Sequence, residues 1–84
     1  SSQIIVQWLE GLAASESCTE RDATRLANLL RRAGFPRAVV VLGIVYLEGK
    51  GTIEFPPMPL QAVAKVLAFK MESLLRGEHK AFSL

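Results

Sequence analysis

Hydrophobic positions recur at helical intervals in three stretches of this chain and run together without interruption in a fourth. In the first stretch Ile4, Ile5, Trp8, Leu9 and Leu12 share one face, with Gln3, Gln7 and Glu10 off it. That spacing predicts a helix over about residues 2–13, capped by Ser1 or Ser2 and fading into a loop after Leu12. In the second, Ala23, Leu26, Ala27, Leu30 and Ala33 form the apolar face of a helix over 19–33. Thr19 is its expected N-cap, Asp22 stands in the capping-box position, and Gly34 stands where a C′ glycine belongs.

The uninterrupted stretch runs from Ala38 to Leu47, ten residues with no charge or amide side chain. Five of the ten are β-branched and Gly43 weakens a helix, yet a strand apolar on both faces needs cover on both sides. A chain this short supplies that cover with difficulty, whereas a central helix is easily ringed by three others. The preferred reading is a buried helix over 36–48, with Pro36 in its first turn and Gly34-Phe35-Pro36 as an interhelical corner. The alternative is a hairpin within 39–55, turning at Glu48-Gly49-Lys50-Gly51 and pairing back through Thr52-Ile53-Glu54-Phe55.

Pro56-Pro57-Met58-Pro59 excludes helix until its last member, so 49–58 reads as an extended connector. A last helix over 59–76 then carries a seam of Leu60, Val63, Leu67, Met71 and Leu74, with Gln61, Lys65, Ala68, Glu72 and Arg76 opposite and Gly77 as its stop. The expected fold is all-α: a compact four-helix bundle with a buried central helix, and α+β as the alternative. Residues 1–84 read as one helical domain. The Ser1-Ser2 start, in place of Met, is expected either of an added terminal remnant or of a domain cut from a longer protein.

Two local resemblances accompany this pattern. Val40 to Glu48, followed by a proline-containing connector and an amphipathic helix, resembles the buried central helix of a cyclin box over less than half the chain. Gly34-Phe35-Pro36-Arg37 is similar to the Gly-Phe-Pro corner of ubiquitin-associated domains. Neither resemblance assigns a binding residue here.

Composition adds little chemistry. Half of the residues are hydrophobic, and ten Lys and Arg against eight Asp and Glu leave a formal charge of +2, too small to imply nucleic acid by itself. Cys18 is the only cysteine and His79 the only histidine, so an intrachain disulfide is impossible and a four-ligand zinc site lacks donors. A reducing intracellular, cytoplasmic setting is expected. The apolar run is about half of the roughly 20 residues that span a bilayer, and no membrane span is expected.

No catalytic, metal or cofactor motif is evident, and the chain is read as a non-enzyme. Its expected role is a helical protein-protein interaction or regulatory module that binds another protein or a second copy of itself. Phe69, Leu75 and Phe82, beside the last helix's seam or beyond its end, are the expected contact residues. The alternative is nucleic-acid binding through the arginine face of the second helix. Arg21, Arg25 and Arg32 are suitably spaced there for phosphates or an acidic partner.

Overall fold

The structure, a computed structural model, describes residues 2–48 and 55–77. Its elements run in the order α1 (Ser2–Ala14), α2 (Glu20–Arg32), β1 (Val39–Val41), β2 (Ile44–Tyr46), β3 (Met58–Pro59) and α3 (Leu60–Leu75). The described residues thus form three helices and a small antiparallel sheet, not the expected four-helix all-α bundle. The α+β class offered as the alternative fits.

Both ends of α2 follow from its sequence. Thr19 has extended backbone angles and its hydroxyl accepts the Asp22 amide N–H at 3.1 Å. At the other end Gly34 adopts φ +114°, its N–H bonds to Arg31, and the Phe35 N–H bonds to Leu30 at 3.0 Å. These two bonds make a Schellman termination, with Phe35 against the core beside Leu30. Helix does not resume at Pro36. The Ala38 N–H returns to the Phe35 carbonyl at 3.0 Å, closing a β-turn with proline at its second position.

The expected helix over 36–48 is instead a hairpin. β1 pairs with β2 in the register Val39 to Tyr46, Val40 to Val45 and Val41 to Ile44, leaving Leu42 and Gly43 as a two-residue turn. Both turn residues have positive φ, +52° and +77°, as a type I′ turn requires. The turn of this hairpin therefore lies inside the apolar run; the expected turn at 48–51 and return strand through Glu54 fall mostly outside the described residues. The objection to a strand fails for a physical reason. Ala38, Val40, Val45 and Leu47 face the core, while Val39, Val41 and Tyr46 are left in water. The likeness of Val40 to Glu48 to a cyclin-box helix ends with the same finding.

β3 extends the sheet in the order β1-β2-β3, pairing Val45 with Met58 and Ile44 with Pro59. The Leu60 N–H continues this ladder to the Gly43 carbonyl at 2.8 Å. By antiparallel alternation the Ile44–Pro59 pair is then a non-bonded one, so the missing proline N–H costs no ladder bond. Pro59 also stands at the N-cap of α3. One residue ends the sheet and starts the helix.

The inner face of the sheet rests on α2 and α3, and α1 lies along α3. Leu9, Leu26, Leu30, Val45 and Leu60 are the largest fully buried side chains, each worth about 1.5–3 kcal/mol of burial. Two predicted stripes are rotated. In α1 Val6 is buried and Ile4 exposed; in α3 Ala64 and Ala68 are buried and Leu74 is exposed. Small alanines admit α1 closely, which turns the seam toward them and away from Leu74.

Candidate interaction surface

Leu42 occupies the first central position of the hairpin turn, where φ must be positive. Asparagine, aspartate and glycine suit that position; leucine is strained in it by roughly 1–2 kcal/mol. The side chain obtains nothing from the fold in return, being 97% exposed. Behind it the outer row of the hairpin, Val39, Val41 and Tyr46, is 41–52% exposed and carries no charge. Arg37 and Glu48 flank this row at the open end of the hairpin, paired at 2.9 Å with both side chains well solvated.

Beneath the hairpin tip lies an open groove of about 680 Å³. The loop before α2 and its first turn form one wall, with Glu16, Glu20 and Ala23; the other is formed by Val40, Val41 and Pro59. Glu16 and Glu20 are the only charged residues among the described residues that line it. Cys18 also lines the groove. Burial, and then the nearby Asp22 carboxylate, push its thiol above the ordinary range and favour the unreactive protonated form.

β1 is an edge strand, and its register decides which of its backbone groups are free. The two-residue turn makes Val41 and Ile44 a hydrogen-bonded pair, so Val39 and Val41 point their amides and carbonyls at β2. Val40 points its N–H and C=O outward, and no bond joins either to another described residue. The next outward carbonyl, that of Ala38, is occupied: Arg31 Nε donates to it at 3.0 Å from the last turn of α2. Among the described residues, the open part of the edge is therefore limited to Val40 and the turn.

The arginines are not one free face. Arg25 lies over the Trp8 ring, 4.5 Å from its centroid, and Trp8 Nε1 donates to Asp22 Oδ1 at 3.3 Å. The Thr19 hydroxyl and the Trp8 N–H hold the Asp22 carboxyl below the ordinary aspartate range. Trp8 is thus half-buried, packed against the core and joined to α2 by a polar contact. Arg21 and Arg32 are exposed and form no ion pair among the described residues. Arg21 shares with Arg25 a shallow surface depression that also contains Glu20.

Of the expected contact residues, Phe69 is 68% and Leu75 52% exposed. They border different parts of the crease between α1 and α3. Phe69 lies beside Ala13 and Ala14, and Leu75 beside Gln3 and Val6. The two depressions adjoin, sharing Glu10 and Glu72, and Phe82 lies outside the described residues. Reading the sequence missed the hairpin face altogether, although five β-branched residues around a Leu-Gly pair were a usable strand signal.

Among the described residues no group of three or more His, Cys, Asp or Glu is placed to hold a metal ion, and no helix is long and apolar enough to cross a membrane. No family model matches the chain, and comparison with curated proteins and with solved structures finds no match.

Proposed function

We propose that this chain is a non-catalytic protein-interaction module whose contact element is the β1–β2 hairpin. The observation that carries this reading is Leu42, an apolar side chain held in a strained turn and almost wholly in water. Neither folding nor solubility gains from leucine there. Strain of this kind persists where a site has a use for it, and exposed apolar groups clustered on one face mark association surfaces. Val39, Val41 and Tyr46 extend the cluster along the sheet.

Phe69 and Leu75 remain candidates for a second contact along the α1–α3 crease. Nucleic-acid binding through Arg21, Arg25 and Arg32 has weaker support, because Arg25 is engaged by Trp8 and Asp22 lies beside it. The uncharged outer row of the hairpin offers phosphates nothing.

Panning a random dodecapeptide library on the immobilised protein tests the reading. The native protein should enrich a peptide family that Leu42→Asp retains at least tenfold less well, since aspartate tolerates the turn geometry and removes the apolar tip. Enrichment no better than on an unrelated protein, or equal retention by the variant, overturns it.

A further inference from the structure

We infer that the groove beneath the hairpin tip receives an extended segment of another protein, apolar and carrying Lys or Arg, that adds as a strand beside β1. The inference rests on the interaction reading above and gives it a partner chemistry. Three features of the groove converge on that occupant.

The first is the backbone. Val40 presents an outward N–H and C=O at the groove wall with no partner among the described residues, which is what an incoming strand needs. The neighbouring outward carbonyl of Ala38 is closed by Arg31, so pairing is confined to the end of β1 that the groove adjoins. The second is the lining. Ala23, Val40, Val41 and Pro59 are apolar, and the volume of about 680 Å³ is in the range of sites that enclose small ligands.

The third is charge. Glu16 and Glu20 are the groove's only charged lining residues among those described, so the side chain that meets them is cationic. The first turn of α2 contributes an opposing positive end, but that is about half an elementary charge against two carboxylates. A second copy of this chain suits the groove less well. Among the described residues the exposed edge strand it could offer, β1, carries no charge to meet Glu16 and Glu20.

With a single outward residue on β1, the main-chain contribution is small and the affinity modest. The probe is the peptide acetyl-Val-Lys-Val-Lys-Val-amide, titrated into the ¹⁵N-labelled full chain and followed by amide chemical shifts. Saturable shifts are expected at Glu20, Ala23, Val40 and Val41, with those of Val66 and Phe69 unmoved. The same peptide with Glu in place of Lys should bind at least tenfold more weakly, and 0.5 M salt should weaken the Lys peptide. Glu16→Lys with Glu20→Lys should invert the preference between the two peptides. Val40→Pro should abolish binding while circular dichroism stays native, because an edge strand tolerates proline where its N–H faces outward. Should Val40→Pro unfold the protein, the charge-reversed pair decides the matter.

Equal binding of the two peptides, or shifts confined to Val39 and Tyr46 on the outer row, overturns the inference. So do groove shifts that grow with protein concentration in the absence of peptide, which would identify a second copy as the occupant. If library panning enriches ligands while the Lys peptide leaves the groove unmoved, the groove assignment falls and the interaction reading stands. Failure of both experiments removes both.

Discussion

Leu42 and Gly34 both sit at positive φ, and they bring opposite fitness to it. At Gly34 a β-carbon would meet nothing within 4 Å, so the requirement for glycine is conformational, set by φ +114° in the Schellman termination. Gly34→Ala should cost about 1–3 kcal/mol in urea denaturation with an unchanged slope. A loss below a few tenths would mean that the helix end rearranges. At Leu42 the same logic runs in reverse. Leu42→Asn creates the Asn-Gly pair that a type I′ turn favours, and stability should rise by about 1 kcal/mol. For a domain of this size that raises Tm by roughly 4–8 °C. The same substitution should weaken whatever the hairpin binds. A gain in stability coupled to a loss of binding is the signature of a strained contact residue, whereas a fall in Tm would show that the leucine serves the fold.

At the scale of elements, the helices were readable because their signals are local. Thr19, Gly34 and Gly77 act through bonds to residues three to five positions away, so spacing alone reveals them. The apolar run was not readable in the same way. Whether residues 38–47 form a helix or a hairpin depends on whether Val39, Val41 and Tyr46 are covered, which no local pattern states. The prediction assumed complete cover and placed Gly43 inside a helix; the structure leaves one face open and uses Gly43 to turn. The contact surface was missed for that same reason, since it is the uncovered face. Phe69 and Leu75 were legible as residues off the main seam, and both are exposed along the α1–α3 crease. The α1–α2 contact yields a pH prediction. Folding lowers the Asp22 pKa through the Thr19 hydroxyl and the Trp8 N–H, so the native state holds that proton more weakly than the unfolded chain. Its contribution is complete above the unfolded-state value and is lost as pH falls through the native one. Stability measured from about pH 5 down to about pH 2 should therefore fall less steeply in Asp22→Asn than in the native protein. Parallel curves would show that the contact does not depend on the carboxylate's charge.

For the whole molecule the decisive residue is Leu60. Its amide closes the ladder to Gly43, its side chain is fully buried, and it is the first residue of α3, so sheet, helix and core meet in it. The hairpin has only three residues per strand and is too short to persist alone. Its order must come from packing Val40 and Val45 on α2 and α3. Leu60→Ala should consequently cost about 2–5 kcal/mol, a large part of the total of roughly 4–13 kcal/mol available to a chain of this length. The loss should be global. Trp8 lies at the α1–α2 contact and packs against the core that Leu9, Leu12, Leu26 and Leu30 share with Leu60, so its fluorescence reports the two helices that do not carry the substitution. If the three helices and the sheet form one cooperative unit, Trp8 fluorescence and far-ultraviolet circular dichroism will trace the same urea transition in Leu60→Ala, displaced to lower denaturant. If the tryptophan transition stays at the native midpoint while part of the dichroism signal is lost early, the hairpin unfolds by itself. The contact surface would then be a locally ordered appendage on a stable helical pair, and its binding partner would contribute to folding it.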